Sequence, residues 1–331
     1  MKAFLGMFFV LIAGSTGLGQ VIDQAFLPVQ EWAQPKSAIM GGISDCESIP
    51  SYYGQYLQYV EALSKVVRVI YFTNSKCEAY IKSQIDTSNI QFVEYPLNSI
   101  WIRDYAPIWL QNKSTGSFVL ANFPYGANYF GKQEQDDQFS SFLAKSLQAQ
   151  LVLDFPRKQP HLFFDGGNLL IDEDHNCYTA LRVGDGFSED IRVELLRNIN
   201  CKDVVLMNQI PEERTGHVDT FMKLLPGKRA LLARYSSSPF KEAMKKNKKI
   251  LLERGFQIIE IDHIDQKGLT HWSYLNSVIV GQNIFVPQYG FPADRAVVAT
   301  LQKLGFIVHP IQAGSIMKER GSLHCITNFI Y

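Results

Sequence analysis

The chain repeats one arrangement of elements four times: two apolar strands joined by a tight turn, then a helix, then a third strand. Alternating or β-branched apolar runs around Gly and Asn turns predict the strands, and a 3.6-residue apolar period predicts the helices. The four helices are expected near 136–148, 188–198, 240–254 and 294–304. The pattern therefore favours an α/β fold built from similar units.

Pieces of a fifth unit stand at the two ends of the chain. Residues 321–331 supply one predicted strand, whereas 37–43, a helix near 51–63 and 66–72 supply the rest. We predict that the N- and C-terminal segments pair and close a five-bladed ββαβ propeller, because closure also removes an exposed sheet edge. The alternative is an open α/β sheet with less regular repeats.

The N-terminus has the pattern of a secretory signal. Lys2 precedes an apolar run over 3–13, which is too short for a membrane span and is followed by small residues. We predict cleavage near Gly19–Gln20, so that 1–19 is a signal peptide and 20–331 is a single catalytic domain of a secreted or periplasmic protein. The alternative is a buried N-terminal strand or helix.

The balance of charged residues gives no reason to expect an anionic partner. Lysine plus arginine is 32 and aspartate plus glutamate is 32, so nothing predicts a nucleic acid or an acidic membrane surface as partner. The basic cluster at 245–249 is expected on a solvated helix face.

The five cysteines show no CxxC motif and no zinc-ligand spacing. Their odd number leaves a thiol unpaired if all disulfides are intramolecular, and a Cys46–Cys77 pair is one open possibility.

A polar residue of a type that can act in catalysis or binding precedes the first strand of each unit. These residues are Asp104, Asp165, His217, Asn276 and Cys325, with Asp219 two positions after His217. The successive gaps along the first five are 61, 52, 59 and 49 residues. Because equivalent positions in a ring of blades converge near its axis, we predict one pocket that holds a thiol, an imidazole, three carboxylates and an amide.

This set of groups suits a guanidinium substrate. Inward-facing carboxylates repel each other unless a cation lies between them, and guanidinium offers N–H donors to two carboxylates at once. A thiolate can attack the guanidinium carbon, and a histidine can transfer protons near neutral pH. The predicted chemistry is attack on that carbon with loss of ammonia.

The motifs WIRDYAP (101–107), DGGN (165–168) and GHVD (216–219), with the terminal cysteine, resemble the bacterial-type peptidylarginine deiminase and agmatine deiminase family. That family has the pentein fold of guanidine-modifying enzymes, and the resemblance runs from about Ala38 to the C-terminus. No metal or other cofactor is implied.

The resemblance also implies a role for each site residue. Cys325 would be the nucleophile that forms a thiouronium intermediate, and His217 would protonate ammonia and then activate water. Asp104 and Asp219 would bind the guanidinium, and Asp165 would orient His217. The remaining roles, near the substrate, fall to Asn276, Trp101 and Arg103, the last two at the pocket mouth.

Several of these residues also have structural interpretations. Asp104 could cap a turn or pair with Arg103, Gly166 and Gly167 could form a hairpin bulge, and Asn276 could be a structural residue of its strand. On a strand, His217 and Asp219 would share a face, which favours a functional role for both. By the same rule His324 would face away from Cys325, so we do not assign it as the catalytic base.

The substrate remains open between two guanidines. The stretch 122–137 contains four aromatics, Lys132 as its one basic residue and no arginine, which disfavours a carboxylate-binding site there. Phe123, Tyr125, Tyr129 and Phe130 could pack along an aliphatic arm. Because of the signal, we predict conversion of peptidyl arginine to citrulline, with agmatine or free arginine as the runner-up. A catalytically silent pentein that binds a partner is the alternative from another class.

Overall fold

The secondary structure follows the predicted repeat. A computed structural model describes residues 22–42, 46, 49–125, 133–154, 163–181, 189–211, 213, 215–263 and 272–331. The predicted signal peptide and its cleavage position lie outside these residues, as do Tyr129, Phe130 and Lys132.

The strands in the described ranges are β1 (Phe26–Pro28), β2 (Ser37–Gly41), β3 (Arg68–Thr73), β4 (Ile90–Glu94), β5 (Ile108–Asn112), β6 (Phe118–Asn122), β7 (Leu151–Asp154), β8 (Leu170–Ile171), β9 (Cys177–Leu181), β10 (Val204–Asn208), β11 (Met222–Leu225), β12 (Arg229–Arg234), β13 (Gln257–Asp262), β14 (Val278–Val280), β15 (Asn283–Gln288), β16 (Ile307–Gln312) and β17 (Asn328–Ile330). The helices are α1 (Tyr53–Ser64), α2 (Ser75–Gln84), α3 (Ile102–Tyr105), α4 (Glu134–Leu147), α5 (Glu189–Arg197), α6 (Phe240–Glu253), α7 (Ala293–Lys303) and α8 (Gly314–Lys318).

These strands form five small sheets, one for each predicted unit. In four of the sheets one strand pairs antiparallel with its hairpin partner and parallel with the strand that follows the helix, as in β11–β12–β13. The hairpin turn of this sheet contains Gly227 at φ +75°, a conformation that glycine adopts without steric cost. The predicted order of two strands, helix and strand is therefore confirmed.

The two ends of the chain meet in one sheet. Strand β17 pairs antiparallel with β2, with Asn328 opposite Ile39, and β2 continues parallel to β3. The predicted pairing of the termini is confirmed. Two strands were not predicted: β1 adds to β5 at the edge of its sheet, and β4 adds to β3. Both are short, and β1 and β4 carry few fully buried side chains to reveal them.

The core consists of apolar clusters between the sheets and their helices. The largest lies between β11–β13, β14–β16 and the helices α6 and α7, and it is built from buried side chains such as Leu231, Leu251 and Leu301. The lysines at 245, 246 and 249 lie exposed on α6, as predicted for a solvated face. In the described part of the chain, no helix is both long and apolar enough to span a membrane.

The cysteines divide into two disulfides and one free thiol. Cys46 pairs with Cys77 and Cys177 pairs with Cys201, with Cα atoms 5.4 and 5.6 Å apart, whereas Cys325 is free and buried. The Cys46–Cys77 pairing that the sequence left open is thus present in the structure.

Candidate active site

The predicted site residues lie in short turns that precede the strands. Asp104 is in the single turn of α3, Asp165 caps a 3-10 turn at Gly166–Asn168, and His217 caps another at Val218–Thr220. Cys325 lies in a turn before β17, three residues ahead of the strand. The prediction that Cys325 lies on a strand is therefore wrong, because the chain turns sharply at the convergence of the sheets before it pairs with β2.

Three of the polar side chains converge on one point in front of Gly167. A methyl group at this position would lie 2.7 Å from Oδ1 of Asp104, 2.8 Å from Nδ1 of His217 and 3.2 Å from Oδ2 of Asp219. Glycine is required here because any side chain would fill the space between these groups. Gly166 and Gly167 thus form a 3-10 turn and not the hairpin bulge considered above.

His217 lies between two carboxylates. Its Nε2 is 3.3 Å from Oδ2 of Asp165, and its Nδ1 is 3.6 Å from Oδ1 of Asp104, which also accepts a hydrogen bond from the Gly167 N–H at 3.1 Å. Burial by itself would lower the pKa of His217, but Asp104 and Asp165 outweigh it and raise this pKa well above its usual value. The imidazole is therefore held as a proton donor.

The surroundings of Asp104 favour the neutral form of its carboxyl group. Burial raises its pKa, His217 partly offsets that rise, and the nearby Asp165 and Asp219 increase it. Burial and the two neighbouring carboxylates thus disfavour the ionised form of Asp104. A bound cation would relieve this repulsion.

Cys325 lies beside Asp219 and Asn276. Its Sγ is 3.9 Å from Oδ2 of Asp219 and 3.2 Å from the amide nitrogen Nδ2 of Asn276, which also donates to Oδ2 of Asp219 at 3.1 Å. Burial and then the charges of Asp219 and Asp104 raise the pKa of the Cys325 thiol well above its usual value. Burial and these two carboxylates therefore favour the neutral thiol of Cys325 over its thiolate.

The second carboxylate oxygen of Asp219 has a different environment. Among the described residues, Oδ1 of this fully buried side chain has no hydrogen-bond partner. A buried carboxylate oxygen without a partner is costly, so this oxygen is available to a ligand N–H.

The residues expected at the pocket mouth have different surroundings. Trp101 packs its indole against Gly321, which leaves no room for a side chain there. The Arg103 side chain instead lines a small cavity of about 50 Å³ with Glu31 and Tyr331, and its Nε donates to the His324 carbonyl at 3.5 Å. The placement of Arg103 at the pocket mouth is therefore wrong, because α3 turns this side chain away from its neighbour Asp104.

Two aromatics expected along the substrate arm are buried. Phe123 packs on Phe164 with ring centroids 5.5 Å apart, and Tyr125 packs edge-on to Tyr105 at 5.4 Å. Burial raises the pKa of Tyr125 well above its usual value, and the nearby Asp104 and Asp165 add to the rise. Tyr125 therefore lies close to the carboxylates, whereas Phe123 belongs to the core.

His324 was expected to face away from Cys325, but it lies against the site. Its Nδ1 is 2.6 Å from Oδ2 of Asp219, and its Nε2 contacts Glu31. The two-residue alternation rule fails here because the backbone is a turn and not a strand. The same correction applies to His217 and Asp219, which share the pocket through a 3-10 turn.

Across the described ranges, no group of three or more His, Cys, Asp or Glu side chains is arranged to hold a metal ion. The absence of a required cofactor stays a prediction.

The model of the Porphyromonas-type peptidyl-arginine deiminase family matches residues 29–330. The chain belongs to this family. The match covers every strand of the five sheets except β1, and every residue of the predicted site. The protein is accordingly a guanidine-modifying hydrolase with the pentein fold.

Solved structures and a curated relative agree with this assignment. An agmatine deiminase of Enterococcus faecalis superposes with a TM-score of 0.82 at 18% identity, over 96% of this chain and 98% of that one. An agmatine deiminase of C. jejuni gives a TM-score of 0.78 at 18% identity, over 92% and 96%. A Legionella pneumophila (strain Paris) protein, provisionally named an agmatine deiminase, is 22% identical over 299 residues, covering 82% of this chain and 84% of its own length.

Proposed function

We propose that this family member hydrolyses the guanidinium group of a small amine-type substrate, with agmatine as the representative, to a ureido product and ammonia. The observation that carries the proposal is the space in front of Gly167, which Oδ1 of Asp104 and Oδ2 of Asp219 border, with Sγ of Cys325 3.9 Å from the latter oxygen. Two carboxylates and an adjacent sulfur fit a planar cation that is attacked at its central carbon.

The first chemical step follows from the charges of the pocket. A guanidinium that donates to Asp104 and Asp219 neutralises the two carboxylates that raise the pKa of Cys325. Substrate binding therefore favours the thiolate, which attacks the guanidinium carbon and forms a C–S bond. His217 gives its proton to the departing nitrogen, the C–N bond breaks, and ammonia leaves a covalent thiouronium.

The second step uses the same histidine in the reverse direction. The neutral imidazole accepts a proton from water, and the hydroxide attacks the thiouronium carbon. The C–S bond then breaks as the adduct's hydroxyl loses its proton to solvent and becomes the carbonyl, so that the thiolate is regenerated and the product carries a ureido group. Asp165, 3.3 Å from Nε2 of His217, orients the ring in both steps.

The charge of the pocket supports a substrate without a carboxylate near the guanidinium. In the described ranges, the hydrogen-bond and ion-pair partners of Asp104 and Asp219 include no lysine or arginine. The names of the similar deiminases also favour agmatine.

Peptidyl arginine is the second candidate, because the matching family model is described as a peptidyl-arginine deiminase. A colorimetric ureido assay with agmatine, an internal arginine peptide and free arginine separates the candidates. We expect the highest kcat/KM for agmatine. A higher value for the peptide would replace agmatine with peptidyl arginine, and no turnover of any guanidine would refute the proposed chemistry.

We infer further that the protein is exported. The signal-like residues 1–19 support this, as do the two disulfides, since disulfides persist mainly in oxidising compartments. Cell fractionation with mass spectrometry of the mature N-terminus tests the inference. We expect a product that begins near Gln20, and a chain without residues 1–19 that is soluble and active; a cytosolic full-length product would contradict export.

A further inference from the structure

A line of buried ionisable side chains extends from the pocket into the protein behind Asp219. Nδ1 of His324 lies 2.6 Å from Oδ2 of Asp219, and Nε2 of the same ring contacts Oε1 of Glu31. The other oxygen of Glu31 accepts from Nζ of Lys223 at 3.0 Å. His324 and Lys223 are 2% and 1% exposed, and the side chain of Glu31 is 14% exposed.

The hydrogen-bond geometry constrains the protons along this line. Both ring nitrogens of His324 face carboxylate oxygens, which accept hydrogen bonds, so the ring serves both only by donating from each nitrogen. Hydrogen-bond donors and acceptors then alternate from Lys223 through Glu31 and His324 to Asp219. Burial alone would raise the pKa of Glu31, but Lys223 and then His324 hold it far below its usual range.

Such a line is not explained by stability alone. Removing two or more charges from water is costly, and a buried ion pair often stabilises a fold no more than apolar side chains of similar volume would. Glu31 is also held in place by the segment before β2, where the Val29 N–H donates to the Trp109 carbonyl at 3.0 Å. The segment thus delivers a fixed carboxylate to the rear of the pocket.

We propose that Lys223, Glu31 and His324 are positioning residues for the hydrolysis of the guanidinium. His324 contacts Oδ2 of Asp219, the oxygen that also faces Gly167 and Cys325, and so fixes the position of this carboxylate relative to the substrate. Glu31 holds the His324 ring in this orientation, and Lys223 holds Glu31. The proposal rests on the function proposed above, and it assigns to the three residues an effect that reaches the substrate only through Asp219.

The test is the kinetics of Glu31→Gln, which keeps the size of the side chain but removes its charge. We expect kcat/KM for the best guanidine substrate to fall by about 10- to 100-fold, because small displacements of a binding group are costly to catalysis. The melting temperature should fall, because the buried Lys223 loses the negative charge of its partner, so the kinetics are measured well below the transition. Asp172→Asn is the matched control: Asp172 is a buried carboxylate 3.3 Å from Lys228 and outside the site, and its loss should leave kcat/KM unchanged.

A double-mutant cycle separates positioning from a merely structural role. If Glu31 acts through Asp219, the Glu31→Gln change should have little further effect in the Asp219→Asn background. Losses that multiply in the double variant would overturn the proposal. Should Glu31→Gln not fold, Glu31→Gln with Lys223→Met removes the pair together and is measured in the same cycle.

The outcomes also distinguish this proposal from the proposed function. A wild-type protein that turns over no guanidine refutes the function itself. An active wild type with Glu31→Gln within about twofold of its kcat/KM refutes only the positioning role, since the expected effect is at least about tenfold.

Discussion

Replacing Asp104 with asparagine separates the charge of the pocket from its shape. The asparagine Oδ1 can still accept the hydrogen bond from the Gly167 N–H, which is 3.1 Å long in the wild type, so the local geometry is retained. What is lost is one negative partner of the guanidinium. Hydrogen bonds to charged groups contribute about 1.5–3 kcal/mol, which corresponds to about a 10- to 160-fold decrease in kcat/KM.

The decrease should divide between the two kinetic parameters. The substrate is a cation in both the ground state and the transition state, so part of the loss raises KM. Asp104 also holds the guanidinium carbon in line with the sulfur of Cys325, so the remainder lowers kcat. Steady-state ureido kinetics with agmatine measures both.

The thermal stability of the Asp104→Asn variant should not decrease with its activity. Burial raises the pKa of Asp104, and Asp165 and Asp219 add to the rise against the effect of His217. A carboxyl group whose pKa is higher in the folded state destabilises the fold as pH rises above its unfolded pKa of about 4. Asp104→Asn removes that cost, so its melting temperature at pH 8 should equal or exceed that of the wild type, and the difference should shrink towards pH 4.

Asp172→Asn serves as control for this prediction too, because Asp172 is a buried carboxylate that accepts from Tyr178 and Lys228 away from the pocket. It should melt at a lower temperature with unchanged kinetics. If Asp104→Asn instead behaves like this control, Asp104 is structural and the guanidinium interpretation fails.

Four further changes test the site and the scaffold. Cys325→Ser should abolish turnover with a nearly unchanged melting temperature, because the hydroxyl is a weak nucleophile of similar volume; a rate close to wild type would exclude Cys325 as nucleophile. Gly167→Ala should abolish guanidine binding, because its methyl group would lie 2.7 Å from Oδ1 of Asp104; an unchanged KM would show that the guanidinium binds elsewhere. Asp165→Asn should shift the alkaline limb of the pH profile of kcat/KM to lower pH, because Asp165 helps to raise the pKa of His217; an unmoved limb would mean that another group titrates there. Replacing Cys177 and Cys201 with serine should lower the free energy of unfolding in urea by about 3 kcal/mol, as expected for a 24-residue separation; an unchanged midpoint would contradict a structural role for this disulfide.

The sequence by itself determined the repeat, the pairing of the termini and the residues of the pocket. Apolar alternation in strands, glycine turns and the 3.6-residue apolar period of helices are local patterns. They can therefore be recognised in the sequence without knowledge of the fold. The even placement of Asp104, Asp165, His217, Asn276 and Cys325 before successive units then predicted their convergence. The structure brings these residues to one site.

Only the tertiary structure decided which way the individual side chains point. The alternation rule placed His324 away from Cys325, whereas the turn before β17 directs it to Asp219. A strand rule holds for strand dihedrals alone, and the backbone leaves those dihedrals where the sheets converge. Glu31 and Lys223 lie 192 residues apart in sequence, and no local pattern relates them. Their contact exists because the packing of the sheets brings the segment before β2 against β11. A charged side chain that is buried there needs a partner of opposite charge.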